Sequence, residues 1–175
     1  AIGYNALAVH TTGNSNTVIG YGAMDDTDAG STSLGSGDNV FIGEIAGGGT
    51  WADAASNANV GIGNNVMDAA MNGALNNTAV GHAALGALTT GDNNVALGSG
   101  AGGALTSGVN NVIIGISAGD ATIDTSYHVL IGGGAGGNGD IANDGVVAVG
   151  YLALHSLING ARNTAVGYSA GAGLT

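Results

Sequence analysis

The stretch NTAVGYSAG, residues 163–171, recurs in variant form along the whole chain. Ten copies align on its central glycine, at Gly3, Gly20, Gly43, Gly63, Gly81, Gly98, Gly115, Gly132, Gly150 and Gly167. The steps between these glycines are 17, 23, 20, 18, 17, 17, 17, 18 and 17 residues. A period this regular indicates a stacked repeat architecture. We therefore expect residues 1–175 to form a single repeat array, which we interpret as a segment of a longer chain.

The residues just before each glycine predict a short β-strand. The position one before the glycine is Ile, Val or Leu in every copy, and the position three before is Val or Thr in every complete copy. Residues two apart lie on the same face of a strand, and we expect this face to be the buried core. Each period is too short for a strand, a helix and two loops. The prediction is an all-β, parallel β-roll or β-solenoid of about ten stacked rungs of about 17 residues.

Three further columns support this prediction. The glycine allows the positive φ that a tight corner after the strand needs. Asn stands four before the glycine in seven of nine copies, and stacked Asn side chains can form an amide ladder between rungs. Leucines seven after the glycine are expected to fill a second wall of the core; they are Leu88, Leu105, Leu157 and Leu174.

The position two before the glycine predicts self-association. Strand alternation places it opposite the expected core, yet it is apolar throughout. A continuous apolar stripe is too large to leave in water, so we expect interchain packing in a homotrimer or a filament. The predicted packing residues are Val18, Phe41, Ala79, Ala96, Ile113, Leu130, Ala148 and Ala165.

Composition argues against several classes of partner and activity. The chain has 12 acidic residues, a single Lys or Arg and a net charge of −11, so we expect no nucleic-acid partner. No apolar run approaches the ~18 residues of a membrane span, so we expect no membrane insertion in this segment. The four histidines, His10, His82, His128 and His155, occupy different columns, and we expect no catalytic activity.

The repeated phrase resembles a known family. The stretches NTAVG, NNVALGSGA and NNVIIGISA, each with a small residue shortly after the glycine, resemble the YadA-like head repeats of trimeric autotransporter adhesins. Longer forms such as NTAVGHAALGALTTG are similar to arrays in tail-fibre-like bacterial and phage surface proteins. The resemblance implies a left-handed β-roll, three chains about one axis, and an exposed adhesive or spacer fibre. The rungs here are longer than those of the adhesin head.

Two insertions suggest ligand sites. The step after Gly20 has extra residues that include Asp25, Asp26 and Asp28, and the next step includes Trp51. The carboxylates are candidate Ca²⁺ ligands, and Trp51 is a candidate stacking face for a glycan. A solvated surface loop is the alternative interpretation, because the ligand order of known calcium loops is missing.

Two columns offer other surfaces. Tyr151 and Tyr168 stand one after the glycine, as do Tyr4 and Tyr21, and they form either a glycan-stacking track or a structural ladder. The pairs Thr11–Thr12 and Thr89–Thr90 share a column, which suggests an ice-binding array that most rungs lack.

These patterns predict a structural or adhesive segment of an extracellular fibre at a cell or virion surface, where it meets a surface or glycan receptor. The alternative is a ligand-binding solenoid module for glycan, Ca²⁺ or ice. It would act through the loops at 25–35 and 47–56 or through a Tyr or Thr column.

Overall fold

The computed structural model describes residues 1–27, 35–51 and 54–175, and its regular structure is one parallel sheet. The strands are β1 (Thr17–Ile19), β2 (Val40–Ile42), β3 (Val60–Ile62), β4 (Thr78–Val80), β5 (Val95–Leu97), β6 (Val112–Ile114), β7 (Val129–Ile131), β8 (Val147–Val149) and β9 (Thr164–Val166). Their order in the sheet is their order in the chain, and an isolated bridge from Ile2 to Ile19 adds the first copy of the phrase. Within the described ranges, no helix is long and apolar enough to cross a membrane.

The strands pair in the register that the alignment predicts. Val95 pairs with Val112 and Leu97 pairs with Ile114, so each column of the repeat becomes a row along the solenoid. The same one-to-one pairing holds from β1 to β9, across the two insertions and the periods of 18 residues. The predicted parallel β-solenoid with one strand per period is therefore confirmed.

The glycine after each strand is required by the stacking. Gly98 has φ +134°, and a Cβ built on it would lie 2.6 Å from the carbonyl oxygen of Gly115 in the next rung. Any other residue would be strained in its backbone and would also collide with its neighbour. Two left-handed residues follow in most rungs, as at Ala83 (φ 52°) and Leu85 (φ 49°), and they bend the chain around a narrow interior.

The prediction of which strand face is buried was wrong. The middle residue of each strand faces the interior, and the two outer residues face outward. The residues predicted to pack between chains are therefore the core of the single chain: Val18, Phe41, Ala79, Ala96, Ile113, Leu130 and Ala148 are buried, and Ala165 in the last strand is partly buried. The sequence analysis correctly predicted that alternate residues face opposite sides of the strand. It chose the wrong face as the buried one, because both faces are apolar.

The interior is filled by complementary side-chain volumes within most rungs and between adjacent rungs. We call the middle strand residue the strand knob and the residue four after the glycine the turn knob. Phe41 is opposite Gly47 in its own rung, and its ring also covers Gly61 of the next rung, where the turn knob is the buried Met67. Where the strand knob is Ala79, the turn knob is the buried Leu85. Since close packing leaves few voids, a small strand knob is paired in several rungs with a large turn knob, and a large strand knob with a glycine.

The rung of β5 has two small knobs, and its neighbours fill the space. Ala96 is its strand knob and Gly102 its turn knob. A Cβ on Gly102 would lie 2.9 Å from Leu85 Cδ2 and 3.0 Å from Ile113 Cδ1, which come from the rungs on either side. The predicted second wall is present at Leu88, Leu105 and Leu157, which are buried, whereas Leu174 in the last rung is half exposed.

The predicted asparagine ladder is confirmed. Asn94 Oδ1 accepts hydrogen bonds from the backbone N–H and the Nδ2 of Asn111, both at 3.0 Å. Asn94 Nδ2 also donates to the carbonyl of Gly108 at 2.8 Å. The same pattern links Asn16, Asn39, Asn59, Asn77, Asn94 and Asn111. All of these amides except the partly buried Asn16 are buried, so their bonds to neighbouring rungs satisfy groups that would otherwise be costly to desolvate.

Candidate functional site

The outward strand residues form a continuous aliphatic face. We define this face as the first and third residues of β1 to β9, together with Ile2. It is lined by Val, Ile, Leu and Thr, and it includes Val95 and Leu97, which remain 41% and 48% exposed. With strands about 4.8 Å apart, ten rungs give a strip about 43 Å long and roughly 400 Å² in area. Sequence reasoning placed these residues in the core and so missed the face as a surface.

The prediction that Trp51 offers a stacking face for a glycan was wrong. The indole is 1% exposed and packs edge-on against Phe41, with 5.9 Å between ring centroids and an interplanar angle of 71°. Its Nε1 has no hydrogen-bond partner among the described residues. Trp51 is therefore an internal residue that packs against Phe41 in the interior of the solenoid.

The aspartates proposed as calcium ligands do not come together in a described site. Asp26 Oδ2 accepts a hydrogen bond from Thr50 Oγ1 at 2.6 Å, which ties the two insertions to each other. The described residues include no group of three or more acidic or histidine side chains that could hold a metal ion. Asp28 lies outside the described residues, so the three-carboxylate site remains a prediction.

The tyrosines form two stacked pairs at opposite ends of the solenoid. Tyr4 and Tyr21 lie 5.5 Å apart between ring centroids, and Tyr151 and Tyr168 lie 5.4 Å apart. All four rings are exposed, as a surface track requires, and they also cover one another as a structural ladder does. The geometry is compatible with both alternatives of the sequence analysis.

A surface groove lies beside the second tyrosine pair. It has a volume of ≈ 600 Å³, and its lining residues are Ile116, Ser117, Gly133, Gly134, Tyr151, Leu152 and His155. Gly133 is the single glycine in the column one after the repeat glycine, between Ile116 and Tyr151. The groove thus lies where two adjacent columns lack a side chain, at Gly133 and Gly134. The tyrosines signalled this region in the sequence, but the significance of Gly133 required the register of the rungs.

The threonine column serves the solenoid itself. Thr89 Oγ1 donates to the carbonyl of Thr106 at 3.1 Å, and Thr106 Oγ1 donates to the carbonyl of Ile123 at 3.0 Å. These hydroxyls bond from one rung to the next, as structural groups do. The column continues with Ile123 rather than Thr, which limits the flat hydroxyl array that an ice-binding face would need.

His128 replaces asparagine in the buried ladder. Its backbone N–H donates to Asn111 Oδ1 at 2.9 Å, and its Nδ1 accepts from the backbone N–H of Val146 at 3.2 Å. Nε2 lies 2.8 Å from Thr125 Oγ1, so the neutral ring with its proton on Nε2 satisfies every contact. Burial lowers the pKa of His128, and the nearby Asp144 carboxylate opposes this shift.

Comparison with protein-family models, with curated proteins and with solved structures finds no match to this chain.

Proposed function

We propose that the chain is a structural segment of an extracellular fibre that associates with copies of itself through the aliphatic face. The observation that supports this proposal is the continuity of that face over all nine strands. Exposed apolar strips of several hundred Å² on soluble proteins usually mark an interaction surface. In this role the stacked rungs supply the length of the fibre, and each rung adds one segment to the aliphatic face.

The size of the face is sufficient to favour assembly. Covering roughly 400 Å² of apolar surface at about 25 cal/mol per Å² stabilises an assembly by about 10 kcal/mol per chain, before the costs of association. Three chains about one axis are the arrangement that the resemblance to adhesin heads implies. A laterally packed filament is the other arrangement that such a face allows.

Location at a cell or virion surface is part of the same proposal. Charged residues make up 7% of the chain, so ion pairs contribute little to its cohesion. Stability comes instead from the backbone ladder, the buried amides and the packed knobs, which do not depend on ionic conditions. Such a rod suits a spacer or adhesive fibre exposed to changing salt.

Sedimentation velocity of matched variants tests the assembly. Leu97→Asp places a charge on the aliphatic face, and Ile158→Asp places one on another wall, at a side chain that is 47% exposed against 48% for Leu97. We expect wild type and Ile158→Asp to sediment as oligomers, near 50 kDa for a trimer of 16.5 kDa chains. Leu97→Asp should sediment as a folded monomer with an unchanged circular dichroism spectrum.

A monomeric wild type at micromolar concentration would contradict the proposal. Equal dissociation by both charged variants would contradict the choice of face. Val95→Asp repeats the test at a second position of the same face, in case Leu97→Asp disturbs its own strand.

A ligand-binding module is the second candidate, and the groove beside Tyr151 favours it. It is compatible with a fibre, because the groove and the aliphatic face are formed by different columns of the repeat.

A further inference from the structure

The groove interrupts a row of side chains on the surface. Along the column one after the repeat glycine, the rungs present Ile116, then Gly133, then Tyr151, then Tyr168. Tyr151 and Tyr168 stack, so one face of the Tyr151 ring is covered. The rung on the other side of Tyr151 contributes only Gly133, and that face of the ring is open.

The gap above Gly133, between Ile116 and Tyr151, is wide enough to admit one ring. Ile116 and Tyr151 are two rungs apart, which places them about 9.6 Å apart at about 4.8 Å per rung. Ile116 is 69% exposed and Tyr151 is 52% exposed, so both walls stand clear of the surface. A Cβ built on Gly133 would lie 3.4 Å from Tyr151 Cδ2, which shows that the ring borders the empty position directly.

Polar groups line one side of this space. His155 lies close to the floor, with its Cδ2 3.4 Å from a Cβ built on Gly134, and no hydrogen bond from the described residues occupies its ring nitrogens. Ser117 is the other polar residue of this lining. The site therefore has an aromatic wall, an aliphatic wall and a polar edge, which is a usual composition for a small-molecule site.

We propose that this groove binds the ring of an uncharged pyranose between Tyr151 and Ile116. The C–H face of the sugar stacks on the open Tyr151 face, where the ring quadrupole is negative, and sugar hydroxyls reach His155 and Ser117. Atoms in contact lie about 3.5–4.0 Å apart, so a flat aromatic ring would leave part of the gap between Tyr151 and Ile116 unfilled. A puckered pyranose chair is thicker and fills more of this gap. The net charge of −11 disfavours acidic sugars.

Saturation-transfer difference NMR on the full chain tests this proposal. The probes are methyl β-D-glucopyranoside, methyl β-D-galactopyranoside and N-acetylglucosamine, and p-cresol serves as the flat aromatic comparison. We expect saturable binding of at least one pyranose in the millimolar range, as suits a single shallow ring site. The measurement works equally for monomer and oligomer, so its outcome is independent of the proposed assembly.

Three variants locate the binding. Gly133 is outside the positive-φ region, so Gly133→Tyr can occupy the gap and continue the stack of Tyr151 and Tyr168. Gly133→Tyr and Tyr151→Ala should each weaken pyranose binding at least tenfold. Tyr21→Ala removes a ring from the other stacked pair and should leave binding unchanged.

Several results would overturn the proposal. They are no pyranose signal with the wild type, unchanged binding in Gly133→Tyr, equal loss in Tyr21→Ala, and binding of p-cresol alone. If Gly133→Tyr disturbs the fold by circular dichroism, Gly133→Ile fills the gap with the residue that the column already has at Ile116.

Discussion

At the scale of single residues, His128 is the buried group whose protonation conflicts with the fold. His128 Nδ1 accepts a hydrogen bond from the backbone N–H of Val146. A proton on Nδ1 would place two N–H donors face to face, with no acceptor between them. The Asp144 carboxylate is the charged group that partly offsets this conflict. The lowered pKa of His128 and its hydrogen-bond geometry therefore both favour the neutral ring.

We expect His128 to make the solenoid less stable in mild acid. Because its folded pKa lies below the unfolded value of 6.5, its contribution is complete above pH 6.5 and is lost as pH falls toward the folded pKa. At pH 5.5 the loss is at most about 1.4 kcal/mol. Urea unfolding of wild type and His128→Asn at pH 7.5 and 5.5 measures it, and the variant restores the asparagine of the column.

The other titrating groups are common to both proteins, so the difference between them isolates His128. Equal acid sensitivity of wild type and His128→Asn would contradict the assignment.

At the scale of the element, the rung of Phe41 and Gly47 is a packing unit in which the two knobs share one space. A Cβ on Gly47 would lie 3.0 Å from both Cδ1 and Cε1 of Phe41. Leucine is native at the same left-handed column position at Leu85 and Leu154. The backbone therefore accepts a side chain at position 47, and Phe41 is what excludes it.

A double-mutant cycle at this rung should show favourable coupling. Phe41→Ala removes a buried ring and should cost about 3–5 kcal/mol, and Gly47→Leu should cost about 1–3 kcal/mol through overpacking. The double variant should be more stable than the sum of these losses predicts, by at least about 1 kcal/mol. Chemical denaturation measures all four corners, and additive losses would show that the knobs do not share a space.

The columns of the repeat explain which parts of the fold could be predicted from the sequence. The period, the strand positions and the parallel register follow from columns that repeat in every rung, and the asparagine ladder follows from a column that repeats in most of them. The buried face did not follow, because Val95 and Leu97 are as apolar as a core pair. The signal that distinguishes the buried face is the variation in size of the middle strand residue, from Gly61 to Phe41. The residue four after the repeat glycine varies in the opposite sense, from Met67 to Gly47.

The candidate sites were harder to predict for a related reason. A side chain in an insertion, such as Trp51, can turn inward when a rung has room for it, and sequence spacing does not reveal that room. The groove depends on an absent side chain at Gly133, whose meaning appears only when rungs are stacked.

At the scale of the whole molecule, rungs interact with their neighbours, so removing one complete period should preserve the fold. Deletion of residues 116–132 brings strand knob Ile113 together with turn knob Gly136, a large and small pair like the native one. We expect the shortened chain to unfold cooperatively and to be about 4.8 Å shorter by small-angle scattering. Deletion of residues 116–123, about half a period, should instead disrupt the register and lower stability far more.

The bonds that join the rungs also determine how the molecule responds to pulling. Backbone bonds such as Val95 N–H to the Asn111 carbonyl, at 2.8 Å, run along the axis, so pulling on the two chain ends should detach the terminal rungs one after another. Releasing a rung of 17 residues should lengthen the chain by about 50 Å, since extended chain spans at most ~3.3–3.6 Å per residue. Single-molecule force spectroscopy should record steps of this size. The solenoid would then extend under load in steps of equal length. A single rupture of the whole solenoid would show instead that the rungs unfold together.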